Sequence, residues 1–380
     1  MRRRNRTVAD MTTSVAEAVD QAAIGEFAGR FMGMLNQTMV VSMLDLGRRT
    51  GLIDALAEAP GTSDDIADRA GLNERYVREW LGALVTGGIA AYDPAAATYS
   101  LPPAAVACLT GRGPVPAPAL TELTILLTRY LEPVADAFRQ GGGVPYSAYC
   151  PDFTGLMDGL SRDGYDRLLI NAWLPLVPGL TERLQEGARV ADVACGSGHA
   201  LVVLARTFPN SIFVGYDLDE EALGRGRAEA AAAGLGNLAF ELCDVARLTV
   251  DRPFDVVFVF DAIHDQADPS GVLERIHAAL APGGVFVMKE PRLSSNLEDN
   301  VGNPFAPMAY AVSTLHCMTI SLAEGGAGLG TAFGEQLARR MLADAGFTDV
   351  TVHEAPGDPR SGVFVSTKPA TGADYPDRAP

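Results

Sequence analysis

The chain has 380 residues, of which 48% are hydrophobic and 20% are charged, a composition that predicts a globular protein with two domains. Its formal net charge of −17 at pH 7 opposes binding to phosphate backbones, so nucleic acid is not an expected partner. The most apolar stretch, LTELTILLTRYLEPV, carries charged residues and a proline. It therefore predicts a buried helix, and no membrane segment is expected.

The composition of the N-terminus and the spacing of the cysteines both bear on the cellular compartment of the protein. Residues 1–20 begin with a basic stretch and lack the apolar segment of a secretory signal, which predicts a disordered tail on a cytoplasmic protein. The cysteines are scattered without CxxC pairs: Cys108, Cys150, Cys195, Cys243 and Cys317. This spacing predicts neither a metal site nor a disulfide framework, and it fits a reducing compartment.

Residues 21–110 predict a mainly helical domain. Ser63 is expected to cap a short helix with Asp64 and Asp65 in its first turn, where acids complement the helix dipole. A second helix over residues 74–85 has its apolar residues on one face; these are Val77, Trp80, Leu81 and Leu84. The following GGIAAYDPAAATYSL predicts two short strands around a loop. Together these elements form a winged helix-turn-helix pattern.

The rest of the chain divides into two regions with different predicted secondary structure. TGRGPVPAP predicts a linker, and residues 111–179 predict a helical region that helps to cover a substrate. Residues 180–370 alternate apolar strands with amphipathic helices, which predicts an α/β fold with a mostly parallel sheet flanked by helices. The expected parallel strands are 190–193, 212–216, 238–242, 256–260 and 285–288. TDVTVHE and GVFVSTK add a closing hairpin, which makes seven strands, and residues 292–331 predict an inserted lid.

The loop VADVACGSGHA follows the first strand of this sheet, and ligands bind at the carboxyl ends of parallel strands. Ala194 and Leu201 stand where a dinucleotide-binding loop calls for glycine, and no P-loop pattern occurs in the chain. Asp192, inside the strand, is ill placed beside a pyrophosphate. It suits a positively charged ligand, such as the amino-acid end of S-adenosylmethionine.

Two more acids end the next two strands. Asp217, in FVGYDLD, is positioned to accept hydrogen bonds from ribose hydroxyls. Asp244, in ELCDV, is positioned to accept one from an adenine amino group. With Asp192 they predict a polar frame around one adenosyl ligand that carries no phosphate.

Five segments carry a resemblance to a known family: VADVACGSG, GYDLDEEAL, CDVARL, FDVVFVFDAIHD and LAPGGVFVMKE. In this order they resemble the motifs of class I S-adenosylmethionine-dependent methyltransferases, whose sheet is Rossmann-like. The winged-helix segment before them is similar to the N-terminal domain of small-molecule O-methyltransferases. The resemblance implies a homodimer that moves a methyl group to a small molecule, with a hydroxyl as expected acceptor and S-adenosylhomocysteine as product. It assigns cofactor contacts to Asp192, Ala194, Gly196, Gly198, Asp217, Leu218, Asp244, Val245 and Asp261.

The candidate base is His264, in DAIHDQAD just past the fourth strand of the sheet. The resemblance gives it the role of a neutral imidazole that removes the acceptor proton. The alternative is that His264 caps the next helix. Asp265 either orients the base or caps that helix, and Glu290, at the end of the fifth strand, either orients the base or contacts substrate.

Three further residues are candidates for substrate binding. Tyr146 and Tyr149, in GGGVPYSAY, either stack on a ligand or pack against a neighbouring domain. His316 lies within the predicted lid.

Two other functions remain open from the sequence. One is a ligand-responsive DNA-binding regulator, although Glu74 and Glu79 offset Arg75 and Arg78 on the second helix. The other is a fold relative that binds the cofactor and carries out non-methylating chemistry or none.

Overall fold

The computed structural model describes residues 20–113 and 115–370. Of the predicted N-terminal tail, only Asp20 falls among them. One compact unit ends at Thr121 and the second begins at Glu122. No helix in the described part of the chain combines the length and the apolar character that a membrane span requires.

The N-terminal unit is helical apart from one hairpin. The hairpin strands β1 (Ala91–Asp93) and β2 (Thr98–Ser100) pair antiparallel. The helices of this unit are Gln21–Thr50, Leu52–Glu58, Ser63–Ala70, Glu74–Thr86 and Pro103–Leu109, and Ala117–Leu127 begins in it. This arrangement confirms the winged-helix domain that the sequence predicts.

The cap of the Ser63–Ala70 helix differs from the prediction. Thr62 is the N-cap, because its hydroxyl accepts from the Asp65 N–H at 3.2 Å while the Asp65 carboxylate accepts from the Thr62 N–H at 2.9 Å. This reciprocal capping box needs an acid three residues after the cap, which Thr62 has. Ser63 instead donates to Glu74 at 2.6 Å, which links this helix to the next one.

The core of the N-terminal unit confirms the predicted apolar face. Val77, Trp80, Leu81 and Leu84 are all buried, and the Trp80 indole donates to the Met43 carbonyl at 2.8 Å.

The second unit contains a seven-stranded sheet in the order β5-β4-β3-β6-β7-β9-β8. Its strands are β3 (Arg189–Val193), β4 (Ile212–Asp217), β5 (Leu238–Leu242), β6 (Phe254–Phe260), β7 (Leu280–Pro291), β8 (Thr348–Ala355) and β9 (Asp358–Thr367). Strands β3 to β7 pair in parallel, and β9 pairs antiparallel with both β7 and β8. The predicted strands and the closing hairpin are therefore confirmed, although β7 begins earlier than expected.

Helices cover both faces of this sheet, which gives the Rossmann-like architecture. Those before β3 are Leu131–Gln140, Asp152–Gly164, the π-helix Tyr165–Trp173 and Leu180–Glu186. Those that follow are His199–Thr207, Glu220–Ala232, Pro269–Ala279, Leu297–Asn300, Ala306–Val312, the π-helix Ser313–Cys317, Met318–Ala323 and Gly334–Asp344. The chain order reverses between β3 and β6, so the carboxyl ends of these two strands mark the topological switch point at which such sheets bind ligands.

Candidate active site

Asp192 lies near the carboxyl end of β3 and is the most isolated acid of the site. It is only 2% exposed, and its Oδ1 atom has no hydrogen-bond partner among the described residues. Burial raises the pKa of this carboxyl well above its usual range, and the charge of Asp217 raises it further. Such a carboxyl would be stabilised by a ligand that brings a positive charge or a hydrogen-bond donor.

The loop after β3 turns sharply past this acid. Ala194, Gly196 and Gly198 all have positive φ angles, of 59°, 57° and 68°. Gly198 also needs its missing side chain, because a Cβ there would lie 2.1 Å from the Phe240 ring. Ala194 adopts the left-handed conformation at an energetic cost that glycine would avoid.

Asp217 ties this loop to β4. One carboxylate oxygen accepts from the Gly196 N–H at 2.7 Å, and the other accepts from the Asp219 N–H at 2.9 Å. Burial raises the pKa of Asp217, and these backbone donors act in the opposite direction. The structure thus brings Asp192, the glycine loop and Asp217 together.

The other predicted cofactor contacts differ in exposure. Asp244 is partly exposed, accepts from the Ala246 N–H at 3.1 Å and lies 3.3 Å from the Arg247 guanidinium. Leu218 is 64% exposed, whereas Val245 is buried. Asp261 has a positive φ of 55° and accepts a 2.5 Å bond from Lys289.

His264 is held between two carboxylates just after β6. Its Nδ1 atom contacts the Glu290 carboxylate, which also accepts from the Ile263 N–H at 2.7 Å. Its Nε2 atom lies 3.1 Å from Asp265 Oδ1, but the alignment is outside hydrogen-bonding geometry and Oδ1 has no hydrogen-bond partner. Glu290 therefore fixes the orientation of the ring and leaves Nε2 able to bond another group.

This environment differs from the neutral imidazole that the sequence predicts. Burial alone would lower the pKa of His264, but the carboxylates of Asp265 and Glu290 outweigh it and raise the pKa well above the usual value. Burial would raise the pKa of Asp265, but the charge of His264 outweighs it and lowers that pKa. The two carboxylates therefore favour the protonated, imidazolium form of the ring.

Cys317 lies close to His264 and Asp265 and forms a cluster with them. One ligand atom each from His264, Asp265 and Cys317 lies within 4.8 Å of the other two, a spacing that a metal ion can bridge. Burial raises the pKa of the Cys317 thiol, and the Asp265 charge already faces the imidazole.

Aromatic side chains pack beside the cluster. The His316 ring lies nearly parallel to Phe153, with centroids 3.6 Å apart, and meets Tyr149 edge-on at 4.7 Å. The Tyr149 hydroxyl donates to the Leu315 carbonyl at 2.6 Å. Tyr146 is also edge-on to His316. Burial raises the pKa of Tyr146, and the charge of Asp217 adds to this effect. The three predicted substrate residues thus lie together, between the carboxylates at β4 and His264.

The helix Asp152–Gly164, which we call the cover helix, contacts the same strand ends. Thr154 donates to Asp219 at 2.9 Å, and Ser197 of the glycine loop donates to Asp158 at 2.5 Å. Arg162 bonds both Asp158 and Glu229. The cover helix lies within residues 111–179, for which the sequence predicts a helical region. Phe153 and Cys317 were not predicted as site residues, because only their spatial neighbours indicate a role.

Two family models match the chain. Residues 38–111 match the Rv2258c-like winged helix-turn-helix domain, and residues 184–354 match a methyltransferase domain. A curated relative, trans-aconitate 2-methyltransferase of Variovorax paradoxus (strain S110), is 36% identical over 109 residues. That match covers 28% of this chain and 40% of the relative, so the chain spans less than half the length of that enzyme.

Solved structures share the fold over most of the chain. A protein of Nostoc punctiforme PCC 73102, provisionally described as an O-methyltransferase, superposes with a TM-score of 0.71 at 19% identity, covering 90% of this chain and 98% of that one. Human N-acetylserotonin methyltransferase in complex with S-adenosylmethionine gives 0.67 at 19% identity, covering 93% and 99%. The fold is thus that of these proteins.

Proposed function

Because residues 184–354 belong to the methyltransferase domains and residues 38–111 to the Rv2258c-like winged helix-turn-helix domains, we propose that this protein transfers a methyl group from S-adenosylmethionine to a hydroxyl oxygen of a small molecule. The observation that carries the proposal is Asp192, a buried carboxyl with an unpartnered oxygen at the switch point of the sheet. A cationic ligand stabilises such a group, whereas a pyrophosphate would repel it.

The residues at the strand ends fit this cofactor. When bound, S-adenosylmethionine supplies an activated methyl group on a positively charged sulfur. Asp192 would neutralise its positive end, and Asp217 retains free lone pairs to accept from ribose hydroxyls while it holds Gly196. We assign the adenine side to Asp244, Leu218 and Val245. The other contacts fall to the backbone of Ala194, Gly196, Gly198 and Asp261.

The acceptor would be activated by His264. Its Nε2 atom takes the hydroxyl proton, while Glu290 holds Nδ1 so that the ring presents that nitrogen. Asp265, 3.1 Å from Nε2, stabilises the imidazolium that results. The raised pKa of His264 makes it a strong base once it has lost its resting proton. Tyr146, Tyr149 and His316 would line the acceptor site.

We further propose that two copies of the chain associate through the N-terminal unit. The helix Gln21–Thr50 exposes an apolar row with a spacing of three to four residues, as a helix partner requires. Its exposed members are Ile24, Phe27, Phe31, Met34, Leu35 and Met39. Arg75 and Arg78 pair with Glu79 and Glu74, so no observation favours DNA binding. The five thiols are free, which supports a reducing compartment such as the cytoplasm.

Calorimetry and product mass test the proposal in two steps. S-adenosylmethionine and S-adenosylhomocysteine should bind with micromolar affinity, and Asp192→Asn should weaken the binding of both, because both carry the ammonium group of the amino-acid end that the carboxylate would neutralise. A product heavier by one methyl group should then form on a hydroxyl acceptor. Binding of NADH in place of both ligands would contradict the cofactor assignment. Cofactor binding without methylated product would favour the non-methylating alternative.

A further inference from the structure

His316 is a buried polar side chain that the protein itself does not satisfy. The ring is 0% exposed, and neither of its nitrogens has a hydrogen-bond partner among the described residues. Nearly all buried polar groups in folded proteins are hydrogen-bonded, and one that is not usually has a functional reason. Its position beside His264 and Asp265, whose charges both act on it, places it at the acceptor side of the site.

The ring is also held in place. Phe153 stacks on one face, and Tyr149 supports its edge while donating to the neighbouring Leu315 carbonyl. The backbone approaches closely there, since the Val144 N–H donates to Thr319 at 2.9 Å and a Cβ on Gly143 would lie 1.8 Å from the Thr319 carbonyl oxygen. Packing of this kind preorganises a side chain for recognition.

His316 stays neutral at physiological pH. Burial lowers its pKa to about 4, so one ring nitrogen carries a hydrogen and the other a lone pair. It can therefore donate to one ligand group and accept from another, but it supplies no positive charge to attract an anion.

The surrounding charges are negative or already compensated. Asp265 and Glu290 face the same cluster, and both are buried or nearly so. The basic side chains on the neighbouring elements pair with acids: Arg129 with Asp152, Arg162 with Asp158 and Glu229, and Lys289 with Asp261. His264 itself lies between two carboxylates, those of Asp265 and Glu290. An anionic acceptor would thus bring a further negative charge to a cluster in which, among the described residues, the carboxylates already outnumber the imidazole.

We propose that His316 recognises a second polar group on the acceptor, and that the acceptor is an uncharged compound bearing this group next to the methylated hydroxyl. The unpartnered His316 nitrogens supply the polar contact. A polycarboxylate is excluded from the site by its charge. The proposal rests on the proposed function, because it concerns the acceptor of that reaction.

The test measures acceptor binding to the full-length protein saturated with S-adenosylhomocysteine. Saturation-transfer NMR and calorimetry would compare catechol, an uncharged ring with two adjacent hydroxyls, with phenol, 3,4-dihydroxybenzoate and trans-aconitate. Catechol should bind about tenfold more tightly than phenol, because only catechol satisfies His316. It should also bind at least about tenfold more tightly than the two carboxylates.

Variants at His316 separate recognition from packing. His316→Phe keeps the stack on Phe153 but removes both nitrogens, so it should abolish the preference for catechol over phenol. His316→Gln should restore part of the preference, and His353→Phe, on the outer strand β8, should change nothing. S-adenosylhomocysteine affinity should be the same in all variants, which shows that each is folded.

The possible outcomes distinguish failure of this proposal from failure of the proposed function. Equal or tighter binding of a carboxylate, no binding of catechol, or a catechol preference that survives His316→Phe would overturn this proposal and leave the methyltransferase assignment intact. Failure of the wild-type protein to bind S-adenosylhomocysteine would remove the proposed function, and this proposal with it.

Discussion

Arg162 donates hydrogen bonds from two guanidinium nitrogens to the two carboxylate oxygens of Glu229, at 2.9 Å each. The same guanidinium bonds Asp158, and Asp158 accepts from Ser197 in the glycine loop at 2.5 Å. His199, the residue after this loop, contacts both Arg162 and Glu229. One arginine therefore holds together the cover helix, the glycine loop and the helix Glu220–Ala232.

We predict that Arg162→Gln weakens cofactor binding, because it leaves Asp158 and Glu229 without a cation and releases the glycine loop. Arg162 is about one-third exposed, so solvent screens part of this effect. The Kd for S-adenosylhomocysteine should rise about tenfold. Arg162→Lys keeps the positive charge but loses the paired hydrogen bonds of the guanidinium. Its Kd should therefore lie between those of the wild type and of Arg162→Gln.

Arg167→Gln is the matched control for this calorimetric measurement. Arg167 lies one and a half turns further along and pairs with Asp163, with both side chains more than half exposed. Its loss should leave the Kd unchanged. An equal effect of the two substitutions would mean that Arg162 has no positioning role.

His264 should govern the pH dependence of turnover. The carboxylates of Asp265 and Glu290 raise its pKa well above the usual value despite burial. The base must be deprotonated to act, so kcat/KM should rise with pH above neutrality until the pH passes this raised pKa. Glu290→Gln removes one negative charge and should shift the rise to lower pH.

Substitution of His264 separates its role in turnover from folding. His264→Gln should keep cofactor affinity but reduce turnover by a factor on the order of 10² to 10⁴. His277→Gln, on the helix Pro269–Ala279, is the control and should leave the rate unchanged. If kcat/KM of the wild-type protein does not change with pH, the base is a group other than His264.

The sequence predicts the sheet and most of the acids at its carboxyl-end edge, because short stretches of sequence determine both. Asp192, Asp217 and Glu290 each lie at or next to the carboxyl end of a strand, so the alternation of strands and helices is enough to bring them to one edge of the sheet. The raised pKa of His264 was not predictable from the sequence, because it depends on how two carboxylates from different segments meet the ring. Tyr149 and Leu315 are in contact but lie 166 residues apart, a pairing that no local pattern contains.

Cofactor binding should release a proton from Asp192. Burial and the charge of Asp217 raise the pKa of this carboxyl in the free protein, so it holds a proton at a pH at which an exposed aspartate is ionised. The other titratable neighbours, Tyr165 and Cys195, have raised pKa values themselves and remain uncharged. A bound cation favours the carboxylate form, so affinity for S-adenosylmethionine should increase with pH until the raised pKa is passed.

Calorimetry in two buffers with different ionisation heats measures the protons released. Wild-type protein should show a buffer-dependent heat below the raised pKa, and Asp192→Asn should show none. Asp217→Asn should reduce the proton release, because it removes the charge that raises the pKa of Asp192. Proton release that persists in Asp192→Asn would assign it to a different group.

Finally, Phe27 and Phe31 on the helix Gln21–Thr50 should hold the proposed dimer together. They are 61% and 51% exposed in the single chain and stack on each other at 6.5 Å. Because each phenylalanine is already about half buried, burying the rest of both against a second copy contributes about 1.5 to 3 kcal/mol per chain. The double variant Phe27→Ser/Phe31→Ser should therefore halve the mass measured by light scattering.

Phe138→Ser serves as the control for this experiment. Phe138 is 75% exposed on a different helix, Leu131–Gln140, so its loss tests whether removing any exposed aromatic changes the mass. We expect this variant to retain the dimer mass. A monomeric wild-type protein at micromolar concentration, or a dimer that survives the double substitution, would show that the apolar row has a different partner.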